Sequence, residues 1–262
     1  MKILVVADFH YALPQFDWLV EAAPAYDLVI IAGDLLDTNS LVDPGTQIVV
    51  VLAYLKRLRQ ITRLIVCSGN HDLDVTGADG ERHAGWLNSV KRLGVGADGD
   101  SQFVEDVLVT VSPWWDGQRT QDAISAQLKT ASKLRDGPWL WVYHAPPPDS
   151  PVSWSGQRYF GDAALLNWIV EYQPDFVISG HVHEAPFARG GSWADRVGRT
   201  WLFNPGRQIG PVPTTVVIDT EARQAAWFSL EGAEGVPLDL PLFRPIEPLT
   251  EMPDWMPRAV RP

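Results

Sequence analysis

The chain carries six histidines, and five of them, His10, His71, His144, His181 and His183, stand at or just beyond the ends of short apolar runs. ILVVA leads into Asp8-Phe9-His10, LVIIA into Gly33-Asp34-Leu35-Leu36-Asp37, and RLIVCS into Gly69-Asn70-His71-Asp72. WLWVY leads into His144, and FVIS into Gly180-His181-Val182-His183. A scatter of surface and core histidines accounts for any one of these positions but not for the set. Carboxylate, amide oxygen and imidazole, with no thiolate among them, form a donor set for divalent Mn, Fe, Co, Ni or Zn rather than a structural zinc knot. The chemistry such ions bring is Lewis-acid activation of water and of an anionic substrate.

Spacing sharpens this. Asp8 and His10 are two residues apart, as are His181 and His183. On extended backbone such residues share a side, so each pair is expected to converge on one ion. Gly33, Gly69 and Gly180 fall where a strand turns out of its sheet, and the absence of Cβ there would let ligands approach the backbone.

Strands are needed to deliver these groups. Apolar runs predict them at about residues 2–7, 28–32, 63–67, 103–112 (as one strand or a hairpin), 139–143, 175–179, 200–203, 214–219 and 224–229. Helical periodicity predicts helices at about 15–23, 44–60, 81–93, 119–135 and 162–172, the last capped by Asp162. The alternation implies an α/β fold, a layered β-sandwich of mixed sheets flanked by helices, with antiparallel pairing late in the chain. Ligands in such folds gather at the carboxyl ends of strands. From Gly232 onward prolines recur, which argues against regular structure. Residues 1–231 are therefore expected to form the body and 232–262 a proline-rich arm, either anchored by Phe243 and Trp255 or loosely ordered.

The 262 residues suffice for one sizeable core. The net charge of −11 opposes a phosphate backbone, which excludes bulk nucleic acid as the expected partner and leaves small phosphorylated molecules. The N-terminal apolar run is broken by Asp8 and His10, so no membrane span or secretory leader is expected and the cytoplasm is the expected location. Cys67 is alone, so it forms no internal disulfide. Oligomeric state leaves no trace in the sequence.

The set D-x-H, G-D-x-x-D, G-N-H-D, a lone His after a strand and G-H-x-H resembles the calcineurin-like metallophosphoesterase family, with every motif present between Asp8 and His183. Asn204-Pro205-Gly206 also resembles a motif of small bacterial members, although Arg207 follows where Ser is frequent. The resemblance implies that Asp8, His10, Asp34 and His183 hold one metal and that Asp34, Asn70, His144 and His181 hold a second, with Asp34 shared. It gives His71 the role of catalytic proton donor, oriented by Asp37. Two ions about 3.5–4 Å apart would share a hydroxide that attacks phosphorus directly, with inversion. A nuclease, or a silent scaffold like the retromer subunit of this family, is the competing reading; the intact Gly69-Asn70-His71-Asp72 opposes the scaffold.

Outside the motifs, Arg158, Arg189 and Arg207 either meet a substrate phosphate or are solvated. Trp114, Trp115 and Trp154 either stack on a substrate ring or pack. The loops between Asp72 and Trp114 and from Pro146 to Gly161 are expected to wall the pocket. His83 is expected on a surface helix, and Gly94 to Asp100, which lacks the ligand order of a calcium loop, is read as a turn.

Overall fold

The computed structural model describes residues 1–256; Pro257 to Pro262, the end of the expected arm, lie outside the described residues. The elements in order are β1 (Lys2–Val6), α1 (Leu13–Ala22), β2 (Leu28–Ala32), α2 (Pro44–Ile61), β3 (Arg63–Cys67), β4 (Val75–Thr76), β5 (Arg82–His83) and α3 (Leu87–Arg92). There follow β6 (Gly96–Ala97), β7 (Ser101–Val104), β8 (Val107–Val111), α4 (Gln118–Ala131), β9 (Trp139–Val142), α5 (Ala163–Tyr172) and β10 (Phe176–Ile178). The chain continues through β11 (Ala194–Val197), β12 (Thr200–Phe203), β13 (Thr215–Asp219), β14 (Gln224–Ser229) and β15 (Gly232–Pro237).

Two sheets result, of order β15-β14-β13-β1-β2-β3-β6 and β11-β12-β10-β9-β8-β7. Side-chain alternation along each strand builds the layers. In β1, Ile3 and Val5 enter the core between the sheets, whereas Leu4 and Val6 join Phe16, Leu19, Val51 and Leu55 of α1 and α2 on the outer face. In β9, Leu140 and Val142 face inward and Trp139 and Trp141 pack outward with Ile124 and Leu128 of α4 and Ile169 of α5. The result is helices, sheet, sheet, helices.

β1, β2, β3 and β6 run parallel, as do β8, β9, β10 and β12. Antiparallel partners sit at the outer positions, with β13 to β15 completing one sheet and β7 and β11 edging the other. No helix among the described residues is long and apolar enough to cross a membrane.

Four expectations are corrected. The helix expected at 81–93 is the two-residue β5, paired with β4, followed by the short α3. Gly77 N donates to Glu81 O at 2.8 Å and Arg82 N to Asp116 at 3.0 Å, which ties this backbone into a hairpin, and His83 lies on the strand. The stretch from Gly94 to Asp100 is more than a turn, since β6 pairs with β3 inside it. Regular structure also continues past Gly232: β15 pairs with β14 over its whole length, and Pro237 is accommodated at its last position on the sheet edge. Of the proposed anchors, Trp255 packs partly buried on the outer core while Phe243 is exposed; Ile246 and Met256 are the buried residues of this segment.

Candidate metal centre

The C-terminal ends of β1, β2 and β3 in one sheet and β9 and β10 in the other open on the same rim, and each delivers its motif there. Backbone hydrogen bonds lock the loops together. Asp8 N donates to the Gly33 carbonyl at 3.1 Å, His10 N to Asp34 O at 2.9 Å, and Gly180 N to His144 O at 2.9 Å. The loops bend sharply. Asp8 (φ 56°), His10 (φ 45°), Asp34 (φ 53°) and His181 (φ 68°) all occupy the left-handed region that non-glycine residues seldom adopt, a strain often found at functional sites.

This bending changes how the pairs work. Asp8 and His10 lie beyond the end of β1 and are not extended, yet their donor atoms still approach, with His10 Nε2 3.9 Å from Asp8 Oδ1. His181 and His183 do not converge on one point. His183 Nε2 lies 3.3 Å from Asp8 Oδ1 and 3.0 Å from His10 Nε2, whereas His181 Nδ1 lies 3.0 Å from Asn70 Oδ1. The left-handed turn at His181 separates the two rings.

Two donor groups with the expected ligands emerge, Asp8-His10-His183 and Asp34-His144-His181, and a third, His10-Asp34-His71, overlaps both; the donor atoms of each lie within 4.8 Å of one another. Asp34 joins them, since its Oδ2 is 3.7 Å from His10 Nε2 and 3.2 Å from His144 Nε2. Its other oxygen accepts from His71 N at 2.8 Å. Asp8, Asp34 and His144 are buried, and the remaining members are partly open to solvent.

His144 tests whether these residues suit a cation. Its Nδ1 lies 2.6 Å from the carbonyl oxygen of Ala32, which accepts only, so Nδ1 carries the hydrogen. That directs the lone pair of the neutral ring, on Nε2, at the carboxylates of Asp34 and Asp8; Nε2 is buried and has no hydrogen-bond partner. Lone pairs facing one another in a buried space call for a positive charge between them. The electrostatics of the cluster agree. Burial opposes a charged His144, but Asp34 and Asp8 hold it up at about 10; against their own burial, His144 lowers Asp34, and the His183 hydrogen bond, with His144 behind it, lowers Asp8. Burial pushes His10 and His181 down to about 4, leaving neutral imidazoles with lone pairs free to ligate. The residues fit divalent metal.

The glycine at position 33 has φ +90° and a Cβ there would strike the His144 ring, while a Cβ on Gly69 would strike the Asp34 carboxylate. Both are there for close approach, as expected. Asp72, in the G-N-H-D segment but assigned no role from sequence, is wholly buried and accepts from Leu35 N, Leu36 N and Gly69 N at 3.0, 3.0 and 2.8 Å. It staples the loop after β2 to the loop after β3.

His71 stands at the side of this cluster, its ring centroid 4.5 Å from that of His10. Its direct contacts come from Thr38, whose Oγ1 and backbone N lie 2.9 and 3.2 Å from Nδ1; Asp37, expected to orient it, is 3.8 Å away. Nothing in the sequence pattern distinguished Thr38. Trp114 packs at 5.1 Å from His181 and 5.7 Å from His144, and Trp115 Nε1 donates to Asp162 at 2.7 Å. Trp154 donates to the Arg189 carbonyl, and Arg158 lies over the Phe160 ring. Arg207 N donates to the His183 carbonyl at 3.1 Å. Asn204 braces the loop by donating to Val152 O and Val182 O.

The fold is a two-sheet α/β sandwich with Asp, Asn and His donors that could hold metal gathered at its strand ends. The family model for calcineurin-like phosphoesterases matches residues 1–185, and the chain belongs to that family. Among solved structures it is similar to the protein TT1561 of Thermus thermophilus (TM-score 0.55, 14% identity, over 90% of this chain and 98% of that one). It is also similar to the purple acid phosphatase PPD1 from seeds of yellow lupin, Lupinus luteus (TM-score 0.54, 12% identity, over 91% of this chain and 51% of that one). At these identities the likeness is one of fold. No match is found among curated proteins.

Proposed function

We propose that the chain is a binuclear, metal-dependent phosphoesterase that hydrolyses a phosphodiester or phosphomonoester of a small molecule. The observation that carries this reading is the position of Asp34, whose Oδ2 faces both donor groups at once, 3.7 Å from His10 and 3.2 Å from His144. In this reading Asp8, His10, Asp34 and His183 hold one ion, and Asp34, Asn70, His144 and His181 the other. When bound, such a pair neutralises phosphoryl oxygens and makes coordinated water acidic enough to attack at neutral pH.

The chain's own groups do the rest. Asp34 and Asp8 would compensate the charge of the cations, while Asp72 holds the loops that carry Asp34 and Asn70. His71 delivers a proton to the leaving oxygen, so the P–O bond can break without expelling an alkoxide. The net charge of −11 favours small phosphorylated molecules over bulk nucleic acid, and a cytoplasmic setting suits the single buried cysteine.

The test is a screen of metal-loaded protein against mono-, di- and cyclic phosphoesters with metal analysis of the same sample. Hydrolysis accompanied by about two divalent ions per chain supports the reading. No turnover of any ester by fully loaded protein overturns it.

A further inference from the structure

Beside the metal centre lies a cleft of about 600 Å³ walled by aromatic rings together with Gln121, Asp162 and small residues. Trp114, Trp115, Tyr143, Tyr159 and Phe160 line it, and the donor residue His181 forms part of the same wall. Trp114 links the two, packing on His181 and His144 while presenting its ring to the cleft.

Two of the polar atoms of this wall are already used. Tyr143 OH and Trp115 Nε1 donate to the same Asp162 oxygen at 2.6 and 2.7 Å, and the other Asp162 oxygen caps α5 by accepting from Ala164 N. What the cleft shows a ligand is ring faces, the Gln121 side chain and one carboxylate. No lysine or arginine is among its lining residues, so an anionic group placed there would meet repulsion without compensation.

Its outer lip is unusual in being both apolar and displayed. Tyr159 is 47% exposed and Phe160 38%. These rings are not loose: Phe160 N donates to Ser153 O, Asp162 N to Pro146 O, and a Cβ on Gly161 would collide with the Pro148 backbone. Arg158 stacks 4.2 Å from the centroid of Phe160, and Trp154 packs at 4.8 Å on Tyr159. A rigid, solvent-facing aromatic slot of this size is the form of a pre-organised ligand subsite.

We propose that this cleft is the substrate-recognition subsite, and that the substrate is a phosphoester carrying a planar ring without negative charge. The ring stacks among Trp115, Tyr159 and Phe160 while the phosphoryl group lies at the metal centre. This rests on the phosphoesterase reading for the position of the phosphoryl group, but the slot and its chemistry stand apart from any turnover.

The test uses non-hydrolysable probes on the full, Mn-loaded chain, so that binding is read without catalysis. Phenylphosphonate, methylphosphonate and 4-carboxyphenylphosphonate are titrated calorimetrically. The phenyl probe is expected to bind at least about ten-fold more tightly than the methyl probe. The carboxyphenyl probe is expected to lose most of that gain to Asp162. In the double variant Tyr159→Ala/Phe160→Ala, whose side chains are too exposed to be needed for folding, the phenyl preference should shrink to about two-fold with methylphosphonate affinity unmoved. Equal binding of phenyl and methyl probes by the unmodified chain overturns the proposal, as does a carboxyphenyl probe that binds as tightly as phenyl. A phenyl preference without hydrolysis of any ester would sink the phosphoesterase reading and leave the slot standing; hydrolysis without a phenyl preference does the reverse. Failure of both phosphonates to bind overturns both.

Discussion

The backbone N–H of Thr38 points at Nδ1 of His71 from 3.2 Å. A backbone N–H only donates, so Nδ1 accepts, and the hydrogen of the neutral imidazole sits on Nε2. The tautomer that could hand a proton to a leaving oxygen is thereby set by a main-chain atom that no substitution at position 38 other than proline removes. His71→Ala should lower turnover at least about a hundred-fold with metal content unchanged. Steady-state kinetics together with metal analysis check this; unchanged turnover would return His71 to a merely structural part.

Asp34 faces both donor groups through one oxygen, and it lies closer to His144, at 3.2 Å, than Asp8 does, at 3.8 Å. Asp34→Asn keeps an oxygen to accept from His71 N but removes the shared charge, so metal content should fall from about two ions per chain to one or fewer. His183→Ala, which touches only the group containing Asp8 and His10, should cost about one ion. Mass-spectrometric metal quantification after gel filtration distinguishes the two, and equal full loading in both variants would contradict a shared centre.

Gly33→Ala should destabilise the fold by at least about 2 kcal/mol, because φ +90° strains any side chain there and the added methyl meets the His144 imidazole. The displaced ring should also weaken metal binding. Thermal unfolding with and without added Mn measures both effects.

Asp98 provides a pH dependence outside the set of metal donors. Burial pushes its carboxyl up to about 6 against hydrogen bonds from Ser68 N and Ser68 Oγ at 2.9 and 2.6 Å. Between pH 4 and 6 the folded chain therefore holds a proton here that the unfolded chain, with the ordinary value of 3.8, has released. The unfolded state binds fewer protons, so this contribution to stability declines as pH rises through that window. Asp98→Asn keeps one oxygen for Ser68 N and an N–H for Ser68 Oγ. It should flatten this part of the curve in denaturant titrations at pH 4.5 and 7; an unaltered slope would refute the assignment.

Met256 is 5% exposed and packs with the outer core beneath Trp255. Met256→Ala should cost about 2 kcal/mol, the low end for a buried methionine close to the surface. Chemical denaturation reads it directly, and no measurable loss would mean that the segment after β15 contributes nothing to the body.

The sequence made the strand-end chemistry legible because each donor follows an apolar run of five or so residues whose type and length admit little besides a buried parallel strand. Asp8, Asp34, Asn70, His144 and His181 follow such runs, and all five meet on one rim. Left-handed bends were not legible, since nothing in D-F-H or H-V-H says that the backbone leaves the extended region, and so spacing alone gives the wrong partners for His181 and His183. Thr38 escaped notice because its contact is made by the main chain, which every residue has. β15 was hidden by its glycines and by Pro237: an edge strand needs hydrogen bonds on one side only, and composition counts prolines without knowing where an edge lies. Two-residue strands such as β5 carry no periodicity to detect.

β1 lies between β2 and β13, and its pairing with β13 joins Lys2 to Asp219 and Val5 to Val216. All the motif residues are synthesised by His183, but during translation the far edge of this central strand stays bare until residues 215–219 emerge. A nascent or truncated chain ending at 185 thus presents an unprotected, largely apolar strand edge to whatever is nearby. Such a fragment should pass through the cell only with a chaperone in attendance or go into aggregates, so the late hairpin acts as the molecule's own guard against self-association.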